Sequence, residues 1–388
     1  MKFTMALADF RAAFERVARF VPARTPMQVL QAVRIAVDGP SGLLLDRPGL
    51  ELQATDNSLG IRLRVADVDV EELGVCLLPK EQLASVVAKA DGDTIAFGME
   101  GPSGPMLIKS GRARWSLNVE AELEKFPEQP EFRARSYHEL TGEHFRTLVK
   151  RTIYAADQKA GTSYALDGLL FEGAPVSVSL VAMSGRSLAS QEVPASFFGE
   201  GDFSDKDAPR RVIGARFAKE VASLVEPDDM IQIGFPDRSI VQVRINDSVI
   251  STNMLAGGFP LWRSMRSKAV KRLPVKVNSD WFRTTLEQAS AFSSEESRGV
   301  DFEFSAGQLT CTQRAHRGVG ESVLPVEWDH EDFSIRFDTT YIVEILKTLP
   351  KDSHPVLHFD THDKPILIET DDGFFGLVSS LTREGAAK

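Results

Sequence analysis

Three histidines, His354, His358 and His362, stand four residues apart and are followed by Asp363. On a helix that spacing would stack them on one face, where imidazole nitrogens and a carboxylate could hold zinc. The segment Val356-Leu357-His358-Phe359 alternates, however, and Asp360-Thr361-His362-Asp363 has the composition of a turn. A strand followed by a turn scatters the rings, so they are read as surface histidines and no metal is expected. Ser184, in Met183-Ser184-Gly185-Arg186-Ser187, lacks the glycine two residues earlier that a nucleophile elbow needs. Glu295 and Glu296 are adjacent, and adjacent residues on a helix do not face each other. Neither a phosphate-cradling glycine loop nor a Ser, His and acid arrangement can be argued from spacing. The expectation is a binding protein or scaffold without an active site or cofactor.

What the chain offers instead is repetition. A helix is written three times, starting at Phe10, Phe145 and Phe282, in steps of 135 and 137 residues. Each copy places a buried stripe at i, i+3, i+4 and i+7: Phe10, Ala13, Phe14, Val17; Phe145, Leu148, Val149, Thr152; Phe282, Thr285, Leu286, Ala289. Steps of that length are too long for a solenoid and imply three domains of one kind. The opposite faces carry Arg11 and Arg19, then Arg146 and Lys150, then Arg283 alone. Such faces lie in water or against something negative.

Composition bounds the rest. With 388 residues, 43% apolar and 26% charged, the chain can bury several cores. Cys76 and Cys311 lie 235 residues apart in apolar surroundings, which suits buried thiols and neither a disulfide framework nor a metal knuckle. No signal-like start and no apolar run long enough for a membrane span is seen, so a cytoplasmic protein without membrane contact is expected. A net charge of −10 argues against a coat of nucleic acid but allows basic residues confined to one surface.

Along the chain the order is helix, strands, helix, strands, three times over. Strands are expected at 29–37 and 50–65, bending near Asp56-Asn57-Ser58, then a helix opened by Pro79 and a hairpin around Ser110-Gly111-Arg112. The second unit has helices at 141–154 and 216–225, the third at 279–292 and 339–349. Stretches 128–135 and 265–273 read as joints, and 199–209 as a polar loop. The fold class is α+β, with domains at 1–132, 133–272 and 273–388.

An ordered set of segments then resembles one family. Met1-Lys2-Phe3-Thr4, Leu52-Gln53-Ala54-Thr55-Asp56, 107–117 with Ser110-Gly111-Arg112, Leu166-Asp167-Gly168-Leu169-Leu170-Phe171-Glu172, Gly257-Gly258-Phe259-Pro260 and Ser294-Glu295-Glu296-Ser297-Arg298-Gly299-Val300 are similar to the bacterial beta sliding clamp, the processivity subunit of DNA polymerase III. The resemblance implies three clamp domains forming a half ring, with two helices per domain inside and sheets outside. Two chains would close a ring around duplex DNA and tether polymerase III, the clamp loader and other clamp-binding proteins.

It also implies sites. DNA-facing bases would be Arg24, Lys80, Arg146, Lys150, Arg151 and Arg216. The homodimer contact would join Arg112, Arg114, Trp115 and Leu117 to Ala291 and Phe292, with Glu295 as an acidic partner; Trp115 could equally be core. A pocket for partner peptides would use Leu166, Met183, Gly185, Leu188, Pro260, Tyr341, Leu377, Val378 and Leu381. The family's Ala-Thr-Asp-Gly-His-Arg-Leu-Ala is here Ala182-Met183-Ser184-Gly185-Arg186-Ser187-Leu188-Ala189, and its closing Met-Pro-Met-Arg-Leu is Ser379-Ser380-Leu381-Thr382-Arg383. The departures leave a second reading open, a clamp-like paralogue acting as a ring scaffold with altered or lost peptide binding.

Overall fold

The structure, a computed structural model, describes residues 1–38, 49–101, 104–157, 164–201, 211–268, 273–294, 298–316 and 318–382. Seven helices occur among the described residues: α1 Leu7–Ala18, α2 Lys80–Lys89, α3 Gly142–Thr152, α4 Ala215–Leu224, α5 Trp262–Lys268, α6 Ser279–Ala289 and α7 Thr339–Thr348. The α+β reading holds, with helices packed on antiparallel sheets. By contacts the chain divides into two units. The first comprises Met1–Glu139, Phe198–Gly201 and Ser223–Met254; the second holds Leu140–Phe197 and the described parts of Asp202–Ala222 and Leu255–Lys388.

In the first unit a five-stranded sheet runs in the order Asp69–Glu72, Lys2–Ala6, Thr94–Met99, Met106–Ser110, Ala113–Leu117. Seven strands of a longer sheet lie beside each other as Met230–Gly234, Ile240–Ile245, Ser248–Asn253, Leu59–Val65, Gly49–Thr55, Ala32–Asp38 and Gly74–Pro79. Pairing passes from the first repeat to the second at Ile61 opposite Ile250. The expected bend is present: Asn57 takes φ +81, and the Asp56 carboxylate accepts from the backbone of Ser58 and Leu59. α1 buries Leu7, Phe10, Ala13, Phe14 and Val17, and Phe10 packs 4.8 Å from Phe97, which stacks on Phe3. Its other face is partly employed inside the unit. Arg11 donates to the Val87 and Ala90 carbonyls at 3.1 and 3.2 Å, satisfying the open end of α2.

The stretch 128–135, expected as a joint, is strapped down by buried amides. Gln53, fully buried, accepts from the Gln129 N–H at 2.8 Å. Gln242 accepts from the Arg133 N–H at 2.8 Å and donates to the Glu131 carbonyl at 2.7 Å. Arg62 reaches the Gln129 carbonyl at 3.3 Å while pairing with the buried Glu51 at 2.6 Å.

The second unit has an eight-stranded sheet ordered Arg211–Gly214, Gly168–Gly173, Ser177–Met183, Ser187–Pro194, Phe374–Val378, Ile366–Glu369, Val356–Phe359, Leu273–Lys276. A four-stranded sheet follows the order Gly318–Pro325, Gln308–Ala315, Gly299–Ser305, Phe333–Asp338. α3 lies on Ser177–Met183 and Ser187–Pro194; α6 lies on Gly318–Pro325 and against α7. Thr141 caps α3 by accepting from the His144 N–H, and Asn278 caps α6 by accepting from Asp280 and Trp281. Phe145 and Phe282 are buried beneath them, as the repeat predicts.

Both cysteines are buried free thiols, and burial pushes Cys76 up to about 12 and raises Cys311 further. His358 sits on the strand Val356–Phe359 and His362 in the following turn, as the alternation indicated; His354 and His362 are exposed, but the His358 side chain is 12% exposed and 3.4 Å from Glu369, which corrects its reading as a surface histidine. Among the described residues no group of metal ligands assembles, and no helix is long and apolar enough to cross a membrane. Glu295 and most of the loop 199–209 lie outside the described residues.

Candidate peptide pocket and strand edges

Strand pairing brings the pocket residues together. Met183 stands opposite Leu188, Leu188 opposite Leu377, and Leu377 opposite Leu367, so one row of side chains crosses four strands. Met183, Leu188 and Leu377 of this row floor a cavity of about 470 Å³, whose lining also includes Gly185. Pro365 and Met265 add apolar wall; Ser184, Ser187, Ser379, Arg186, Asp360 and Lys364 add polar groups. The serines partly satisfy one another, with the Ser184 hydroxyl 3.2 Å from that of Ser187 and accepting from the Ser187 N–H.

Other predicted lining residues fall elsewhere. Val378 follows Leu377 on a strand and therefore points to the opposite face, where it is fully buried. Leu166 packs against the core cluster beneath the pocket. Pro260 is half-buried, and its carbonyl accepts from the Trp262 N–H at 2.8 Å; Tyr341 on α7 and Leu381, which donates to the Arg336 carbonyl, are also outside the lining. Met265 was missed. The expected joint 265–273 opens inside a helix, α5 at Trp262–Lys268, anchored by buried Trp262 and by Arg263 pairing with Glu172 at 2.9 Å. Trp262 itself, an aromatic just after Gly-Gly-Phe-Pro, was the available signal.

The predicted dimer residues lie on or beside two of the sheet-edge strands. The first is Ala113–Leu117, entered through a tight hairpin at Gly111, whose φ of +55 suits glycine. Arg112 and Arg114 are exposed and Trp115 is half-buried, but Leu117 is only 7% exposed inside its own unit, because alternation turns it inward opposite Met106. The second edge is Gly318–Pro325, with Val319 and Val323 exposed and Glu321 between them. Ala291 and Phe292 are exposed beside it, the Phe292 ring close over Gly318.

Residues 1–130 match the family described as the DNA polymerase III beta subunit, N-terminal domain. The beta sliding clamp of Chlamydia pneumoniae is 24% identical over 380 residues, covering 97% of this chain and 98% of its own length. That of Escherichia coli K12 is 23% identical over 355 residues, 90% of each. A DNA polymerase sliding clamp from Pseudomonas aeruginosa superimposes with a TM-score of 0.85 at 22% identity, covering 99% of this chain and all of that one. A sliding clamp from Bartonella birtlesii bound to griselimycin gives 0.83 at 22% identity with the same coverage.

Over nearly its whole length the chain is similar to bacterial beta sliding clamps.

The predicted DNA-facing residues separate into two groups. Arg24, Arg146, Lys150 and Arg216 are exposed, Lys80 is half-buried at the start of α2, and Arg146 and Lys150 lie one turn apart on α3. Arg151 is a correction. It is 5% exposed, donates to the buried Gln191 at 2.9 Å, and pairs with Asp372 at 2.7 Å. It stands three residues after the buried Leu148 and so shares the inward stripe. In the third repeat Arg283 is taken up by Asp280 and Glu287, and Lys347 by Glu344.

Arg151 holds the Asp372 carboxyl below its ordinary range, with Thr370 assisting. A depressed carboxyl stabilises the fold above its ordinary pKa and loses that contribution as pH falls through the depressed value. Asp372 is 52% exposed, so the contribution is discounted to under about 1 kcal/mol. Asp372→Asn should therefore lower the urea midpoint at neutral pH. As the pH is lowered through the range in which the wild-type carboxyl takes its proton, the gap should narrow; a gap that widened on acidification would refute the pairing.

Proposed function

We propose that the chain is a processivity clamp: three domains, 1–132, 133–272 and 273–388, in a half ring that dimerises head to tail around duplex DNA and tethers polymerase III and other clients in the cytoplasm. It performs no chemistry and uses no cofactor. The observation that carries this reading is the pair of unpaired strand edges, one basic through Arg112 and Arg114, the other apolar with Glu321. Joining unlike edges head to tail satisfies both rows of backbone groups, and a rotation that closes forms a ring and not a fibre. The full-length likeness to clamps supports the same conclusion.

Function then follows from topology. A closed ring leaves DNA only by opening, so its phosphate contacts can be weak and blind to sequence, which permits sliding. Arg146 and Lys150 supply such contacts on α3, Arg24, Lys80 and Arg216 elsewhere. The cavity floored by Met183, Leu188 and Leu377 receives the apolar anchors of client peptides; the substitutions around it leave that floor apolar, which favours a working site over a bare scaffold.

The test is retention on DNA. Protein loaded onto nicked circles should stay through gel filtration at moderate salt and be lost once the circle is linearised. Equal loss from both substrates would end the clamp reading.

A further inference from the structure

In the turn before Leu188 the guanidinium belongs to Arg186, with Ser187 between the two. Ser187 is buried on its strand, whereas Arg186 is exposed within the turn closed by the Ser184 N–H donating to the Ser187 carbonyl at 2.8 Å. Its side chain lines the cavity and has no ion pair or hydrogen bond among the described residues. Lys364 lines the same cavity; it is exposed, and the carboxylate it meets is that of its sequence neighbour Asp363, at 4.0 Å. Asp360 is the sole acid on the lining and already has interactions of its own. An apolar floor thus carries two available cations at its rim, in a chain of net charge −10.

We propose that this cavity selects peptides in which a carboxylate flanks the apolar anchor, with Arg186 as the specificity-determining residue and Lys364 as the second cation. The inference rests on the peptide-binding part of the proposed function. A guanidinium with no prior partner can give a carboxylate two parallel hydrogen bonds, while the leucine and methionine side chains take up the anchor. The carboxylate can come from an Asp or Glu beside the anchor or from the peptide's own C-terminus.

Three fluorescein-labelled hexapeptides of Gln, Ser, Leu and Phe distinguish these sources by polarisation titration against the full chain. One is amidated and neutral, one amidated with Glu beside the Leu, and one neutral with a free C-terminus. At least one carboxylate peptide should bind roughly five- to tenfold tighter than the neutral one, and which of them does so names the source. Arg186→Ala should remove that advantage, and Arg186→Glu should invert it toward a peptide with Lys beside the Leu. Met265→Glu, at a 41% exposed wall residue, should weaken all three without unfolding the protein. Equal affinities for the three peptides, all lost in Met265→Glu, would overturn the charge selection and leave peptide binding standing. An advantage that survives Arg186→Ala would overturn it as well. Failure of every peptide to bind a dimer that still holds circular DNA would remove the peptide site itself, and this inference with it.

Discussion

Phe282→Ala should lower the unfolding free energy of the second unit by about 3–5 kcal/mol, the range for deleting a buried aromatic ring. Phe282 is fully buried on α6 and meets Phe302 edge-on, with ring centroids 6.0 Å apart. Nothing nearby can collapse freely into the space, because Phe302 is itself held against Phe337. Trp281, its larger neighbour, is 66% exposed, so Trp281→Ala should cost less than about 0.5 kcal/mol. Urea unfolding followed by far-ultraviolet circular dichroism compares the two. Equal losses would mean that the helix has the wrong face inward, and with it the phase of the repeat in all three copies.

The second large effect concerns ring closure. Arg112→Glu with Arg114→Glu places two acids on the edge proposed to meet Glu321, and should weaken dimerisation by roughly a hundredfold through like-charge repulsion. Light scattering after gel filtration at micromolar concentration should then report the 42.7 kDa chain, where the wild type reports twice that mass. Retention on circular DNA should fall in parallel. Adding Glu321→Arg should recover much of the loss, since the coupling between contacting charges is what such a cycle measures. Arg24→Glu, a single reversal outside this edge strand, should leave the mass unchanged. A double variant that stays dimeric would move the interface elsewhere.

Burial that repeats with the helical period was readable: Phe10, Phe145 and Phe282 announced three helices, and all three are buried. Strand parity was readable too, and applied strictly it would have separated Leu377 from Val378. Arg151 could be placed inward from its spacing to Leu148, but its partner Asp372 lies 221 residues away, and long-range pairing leaves no local trace. The same holds for the pocket floor, where Leu188 and Leu377 meet only because two distant strands pair in one register. α5 escaped notice because a short, basic, serine-containing segment with one buried anchor has the composition of a loop.

The strap at 129–133 is gripped by its main chain: the N–H and carbonyl of Gln129, the carbonyl of Glu131 and the N–H of Arg133 are the atoms engaged, by Gln53, Arg62 and Gln242. This grip does not read side-chain identity, except that proline lacks the N–H, while Gln129, Glu131 and Phe132 are held a second time through their side chains, by burial, by Arg62 at 3.0 Å and by Arg244 over the ring. The length of the stretch is fixed, because the grip falls on every second residue and one inserted residue would carry each group past its partner. Variation among close homologues should therefore appear here as substitution, with insertions and deletions excluded.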